Sequence, residues 1–136
     1  MKLKTLLLST IFTMFSGSLI AGKVMDVNVT IDLEARVAAG NMKTARFSDN
    51  EEEYIGCGTR TAEQPDGTTY SWGWCQAALD TVENYAFCST ENPDLLNQIN
   101  SSSAYSYLIF RWDEDGICRY VGHSTQSFYI PSKKDK

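Results

Sequence analysis

From Met25 to Val37 the chain alternates without a fault. Met25, Val27, Val29, Ile31, Leu33, Ala35 and Val37 hold the odd positions; Asp26, Asn28, Thr30, Asp32, Glu34 and Arg36 hold the even ones. Strict period two is the signature of a strand with one buried face, so one long strand is predicted here. The DLEARVAA portion (Asp32 to Ala39) also carries helix-forming residues. Ala39-Gly40-Asn41 predicts a turn, Met42–Phe47 a returning strand, and Ser48–Glu53 an acidic loop.

The next pattern fixes a register. Gln64-Pro65-Asp66-Gly67 suits a three-residue hairpin loop, with proline at the first turn position and glycine at the left-handed one. The loop sets Gln64 opposite Thr68, and every facing pair outward from there sums to 132, as positions 57 and 75 do. The hairpin strands are predicted at Tyr54–Ala62 and Thr69–Leu79. Facing pairs alternate in type, and seven steps from a hydrogen-bonded Gln64–Thr68 pair bring Cys57 and Cys75 to a non-hydrogen-bonded one. There the Cα atoms approach to about 4.5 Å, which a disulfide accepts.

Tyr85–Ser89 predicts a shorter strand. Asn92-Pro93-Asp94 reads as an N-cap, a first-turn proline and a first-turn acid, opening a helix whose apolar side is Leu95, Leu96 and Ile99. Tyr105–Trp112 and Ile117–Gly122 flank Asp113-Glu114-Asp115-Gly116 as a second hairpin, and Thr125–Ile130 predicts a last strand ended by Pro131. The class that results is mainly β: an antiparallel sheet curled into a small sandwich or barrel, with one short α-helix near residues 93–100 and two disulfides.

Composition places this domain outside the cytoplasm. Lys2 and Lys4 precede an apolar run and then small residues, the three-part form of a secretory leader over residues 1–22, with cleavage near Ala21 or Gly22. Ser9, Thr10, Thr13, Ser16, Gly17 and Ser18 dilute the run below what a membrane span of about 20 apolar residues needs. A single β-rich domain over residues 23–131 follows, and residues 132–136 read as a basic, disordered tail. The four cysteines, Cys57, Cys75, Cys88 and Cys118, all come after the leader. An even count in an exported chain reads as disulfides, and Cys57–Cys75 leaves Cys88–Cys118 as the second. No close Cys-x-x-Cys pair suggests zinc.

The chain holds 12 basic and 17 acidic side chains, a net charge of −5 that becomes −7 without Lys2 and Lys4. Such a surface argues against nucleic acid and anionic lipid as partners and suits a cationic protein. Neither a cofactor nor a metal is expected: aligning Gly116 with the sixth position of a helix–loop–helix calcium loop puts Arg111 at the first position and Gly122 at the twelfth, where acids are needed, and the flanks read as strands. His123 is the only histidine, and Ser124 beside it must point to the opposite face of a strand. Any nucleophile–base pair would need His123 and a distant serine. Loop carboxylates such as Glu52 and Asp115 suit a small hydrolase by residue type alone. No catalytic residue is expected.

The aromatic stretch from Tyr70 to Cys75 remains. In the hairpin register Trp74 faces Gly58, Trp72 faces Arg60 and Tyr70 faces Ala62, so Tyr70, Trp72, Trp74 and Arg60 share one face. That face is either the core or a platform for a sugar or a protein, with Arg60 lying over Trp72. A core would have to find a partner for Arg60, since an unpaired buried charge is costly. The opposite face, from Ile55 and Cys57 to Ser71, Gly73, Cys75 and Ala77, has the smaller groups that fit under a covering layer.

Four pieces, YIGC (from Tyr54), CSTENPDLL (from Cys88), IFRWDEDGIC (from Ile109) and SFYIP (from Ser127), together resemble a group of small exported bacterial proteins without an assigned activity. The resemblance implies a bacterial, exported origin and brings no function or site residues. The expectation is therefore a secreted or periplasmic binding protein that recognises another protein in the manner of an inhibitor or immunity protein. A carbohydrate-binding module is the alternative, and a small hydrolase a third.

Overall fold

A computed structural model describes residues 22–80 and 83–131. The leader expected over residues 1–22, apart from Gly22, and the tail at 132–136 lie outside the described residues. Two antiparallel sheets form: β1 (Thr30–Asp32), β2 (Val37–Asn41), β6 (Tyr107–Trp112) and β7 (Cys118–Ser124) in the order β1-β2-β6-β7, and β3 (Tyr54–Glu63), β4 (Thr69–Ala78) and β5 (Tyr85–Thr90) in the order β3-β4-β5. Both sheets are open, so no barrel closes. One shared core joins them, built from Ala38, Leu108, Phe110 and Val121 of the first sheet and Ile55, Cys75, Ala77, Ala86 and Cys88 of the second. Helix α2 (Pro93–Asn100) adds Ile99 to that core.

The hairpin forms in the expected register. Gln64 N–H donates to Thr68 O at 2.7 Å, Gly67 takes a φ of 82°, and Cys57 lies opposite Cys75. The two are bonded with a Cα–Cα distance of 4.0 Å, and Cys88 is bonded to Cys118. Cys88 also lies opposite Cys75 across the β4–β5 ladder, so three half-cystines form one row on the inner face. The second disulfide runs from that row to β7 and ties the sheets together. Asn92 caps α2 as predicted, its Oδ1 accepting from the amides of Asp94 and Leu95 at 2.9 and 3.2 Å.

Four expectations fail, each for a local reason. Met25–Val37 is not one strand: β1 has three residues, and a turn over Leu33–Arg36 reverses the chain, with Asp32 Oδ1 accepting the Ala35 amide and Arg36 at φ 54°. Ala39-Gly40-Asn41 lies in β2 instead of turning. Met42–Arg46 is a second helix, α1, not a returning strand, because the buried Asn41 side chain caps the amides of Lys43 and Thr44. Thr125–Ile130 holds a 3-10 turn at Ser127–Tyr129 in place of a strand. The residues before β1 still alternate in exposure, and they are pinned by Val27 O accepting from Asn41 N–H and by Met25 N–H donating to Phe128 O.

Candidate functional site

The inner face of the three-stranded sheet carries the small residues, as the sequence suggests. Gly73 lies under α2, where a Cβ would come within 2.8 Å of Leu96 Cδ2 and 2.9 Å of Ile99 Cδ1. Alternation then sends Tyr70, Trp72 and Trp74 to the other side, away from the core. Tyr70 and Arg60 are exposed and both tryptophans are half-buried, so this face is not the core.

Cross-strand pairing enlarges the face beyond the four expected residues. Tyr54, Ala78 and Tyr85 form one row, Gly56, Gln76 and Phe87 the next, Gly58, Trp74 and Ser89 the third; Arg60 with Trp72, and Ala62 with Tyr70, extend it toward the hairpin tip. Tyr54, Tyr85 and Phe87 were not singled out from the sequence. Cys88 marks the parity of β5 once it is placed on the inner face, but no turn signal before Tyr85 sets the register. Burial, the nearby Tyr85 phenol and Glu52 push the Tyr54 hydroxyl above its ordinary pKa of 10.0. Tyr54, Tyr70, Tyr85 and Phe87 keep 40–46% of their surface exposed. At roughly 150–250 Å² for a whole ring residue, these four alone leave on the order of 300 Å² of aromatic surface in water. That is the size of the largest apolar patch on a typical monomer, which is often a functional one.

The rings are already engaged with one another. Tyr70 and Trp72 stack with centroids 5.1 Å apart and planes at 17°. The Arg60 guanidinium lies 4.9 Å from the centroid of Trp74, not over its directly facing partner Trp72. Sheet twist brings the diagonal neighbour within reach of a long side chain. Gly58 is what lets the Trp74 indole lie down, since a Cβ there would stand 2.9 Å from the ring. Trp72 is thus engaged by Tyr70, and Trp74 by Gly58 and Arg60, and both stay half-buried. Exposed acids border the patch: Glu52 and Glu83 at one end, Glu63 and Asp66 at the other, and Glu91 beyond β5.

Two other places carry chemistry. His123 lies opposite Leu108, and its Nε2 is 2.9 Å from Ser101 Oγ at the end of α2. This is the distant serine that the sequence left open. The Ser101 hydroxyl also donates to Gln98 O at 2.9 Å, and no partner meets the buried His123 Nδ1 among the described residues. A nucleophile–base pair needs a group that orients its base, so the contact is better suited to tying α2 to β7. A groove of about 650 Å³ is lined by Arg46, Glu51, Glu53, Tyr54 and Tyr105 among others. Both oxygens of its Glu53 are engaged within the fold, Oε1 by the Val29 amide at 3.0 Å and Oε2 by the Ser48 hydroxyl at 2.5 Å. Glu114 pairs with Arg36 at 3.1 Å, and Asp113 bonds Arg119 and its own turn, so these loop acids also hold structure.

No protein family matches the chain, and neither a search of curated proteins nor one of solved structures finds a similar protein. Two disulfides fit an oxidising compartment. No helix among the described residues is long and apolar enough to cross a membrane.

Proposed function

We propose that this chain is an exported, disulfide-stabilised binding domain that recognises a cationic protein through the outer face of its three-stranded sheet and has no catalytic activity of its own. The observation that carries the reading is the state of the aromatic rings. A sugar stacks on a free, flat ring face, whereas here Trp72 packs against Tyr70 and Trp74 lies under Arg60. What the patch offers instead is ring edges, phenol hydroxyls and a guanidinium. Tyrosine, tryptophan and arginine at the centre of a patch with a polar rim are the residues that dominate protein–protein contacts. The acidic border selects the sign of the partner, giving fast, salt-sensitive association.

The test is capture from extracts of the host's envelope and surroundings with the mature domain as bait, beside a Trp74→Ala/Phe87→Ala variant that keeps its far-ultraviolet spectrum. A basic protein held by the wild type, released by moderate salt and lost from the variant is the expected result. Tryptophan fluorescence that shifts on a polysaccharide panel, with no protein retained, would favour the carbohydrate reading in its place.

A further inference from the structure

β4 is longer than the strand that covers it. It pairs with β3 along its whole length, but β5 reaches only from Ala78 to Gly73, where Thr90 is the last partner. Beyond that point, among the described residues, Thr69–Trp72 has a neighbour on one side only. The Gln64–Thr68 bond sets the phase: Tyr70, Trp72 and Trp74 exchange their amides and carbonyls with β3, and Thr69, Ser71 and Gly73 direct theirs the other way. Gly73 meets Thr90 there, whereas the amides and carbonyls of Thr69 and Ser71 point past the edge of the sheet. Helix α2 does not close this gap. It crosses the inner face from Leu96, over Gly73, toward Asn100, whose Oδ1 accepts from Thr59 Oγ1 at 2.7 Å on the far strand.

We propose that the open edge of β4 at Thr69–Ser71 is a strand-docking site, and that the partner's recognised element is an extended segment alternating apolar and basic residues. The inference rests on the binding reading above and adds the form of the ligand. A strand added here continues the line of β5 and bonds Thr69 and Ser71 through its backbone, the β-augmentation mode of peptide recognition. Its side chains then alternate between the two faces. Those on the outer side reach Tyr70 and Trp72 and are apolar. Those on the inner side lie on the face that α2 crosses, where the first turn of the helix carries the exposed Asp94, and are basic. The other edge of the ribbon, along Thr59–Glu63, is less suited to such a segment: it has Arg60 and Ala62 on the aromatic side and ends in Glu63. A second copy of the chain is disfavoured because both molecules bring the same acids.

The probe is a capped peptide alternating lysine and valine, titrated into the isotope-labelled mature domain. A matched peptide, N-methylated on alternate residues so that its bonding edge toward the protein loses its donors, keeps the side chains and removes the ladder. The expected result is protection of the Thr69 and Ser71 amides from exchange and a loss of affinity of about tenfold or more on methylation, the order expected for one or two backbone bonds. Trp72→Ala weakens binding of the unmodified peptide. Equal binding of both peptides, or protection along Thr59–Glu63 in place of β4, overturns the edge site and leaves the aromatic face intact as a binding surface. No binding of either peptide also overturns it, and the capture experiment then decides separately whether the face binds protein.

Discussion

Gly58 lies beneath the indole of Trp74, leaving so little room that a Cβ at position 58 would come within 2.9 Å of Cζ2. The contact is to the outer part of an outward-facing side chain, which can swing toward solvent. Gly58→Ala is therefore expected to change stability by about 1 kcal/mol or less while lifting Trp74 off the sheet and away from Arg60. Near-ultraviolet circular dichroism and tryptophan emission should shift although the unfolding midpoint hardly moves. A large loss of stability would mean that the face is packed more firmly than its exposure indicates.

The same substitution on the other side of the sheet has the opposite profile. At Gly73 a Cβ meets Leu96 Cδ2, Ile99 Cδ1 and the Gly58 carbonyl oxygen at 3.2 Å, and none of these can leave for solvent. Overpacking such a site costs about 1–3 kcal/mol. Gly73→Ala is expected to lower the denaturant midpoint accordingly and to loosen α2, read as faster amide exchange from Leu96 to Ser101. Together the two glycines report which face of β4 is inside.

How much of this could be read in advance depends on where a turn fixes the count. Pro65-Asp66-Gly67 determines the phase of both hairpin strands, and from it follow the cysteine pairing and the shared face of Tyr70, Trp72, Trp74 and Arg60. Asn92-Pro93 likewise starts α2 where it is observed. Inward or outward was not decidable, because both faces of β4 can be buried in principle and only the covering of Gly73 by Leu96 and Ile99 settles it. Met25–Val37 misled because alternation describes exposure, not pairing: residues 25–32 alternate although most of them lie outside any ladder, and the turn over Leu33–Arg36 ends the alternation, leaving Leu33 exposed and burying Ala38 instead of Val37. At Met42–Arg46 the signal was present in Asn41, a good N-cap, but five residues of helix are too few to show a period.

Acid should weaken the turn that supports Ser89, the neighbour of Trp74. Asp113 Oδ1 accepts from the Ile117 and Asp115 amides at 2.9 and 3.0 Å, and Oδ2 accepts from Arg119. The Ile117 amide above all, then Arg119, holds this carboxyl below its ordinary pKa of 3.8, against an opposing effect of desolvation. A depressed pKa gives stability that is present above the unfolded value and is lost as pH falls through the folded one. Asp113→Asn is expected to be less stable than wild type at neutral pH, with a gap that narrows below about pH 4 and closes as the native carboxyl is protonated. Thermal unfolding of both proteins from pH 7 to pH 2 measures it. Because Gly116 O accepts from the Ser89 amide at 3.0 Å, the exchange of that amide should follow the same profile.

The two disulfides should contribute unequally even though their loops are similar. Their sequence separations of 18 and 30 residues correspond in the chain-entropy account to about 3.2 and about 3.6 kcal/mol, a difference too small to separate them. Native context separates them instead. Cys75 is fully buried but its partner Cys57 is only half-buried, and the two join strands already laddered along ten pairs, whereas Cys88 and Cys118 are both buried, at 0% and 2% exposed, and connect one sheet to the other. Removing the second bond leaves a defect in the shared core as well as a longer open loop. Cys88→Ala/Cys118→Ala is expected to lose about 1–2 kcal/mol more than Cys57→Ala/Cys75→Ala, because it empties two buried positions where the other empties one, and the larger cavity adds to the entropic term. Denaturant midpoints of the two double variants compare them directly. Equal losses would mean that Leu108, Phe110 and Ile55 hold the two sheets together without help from the bond, and that the cystine row serves mainly to restrict the unfolded chain.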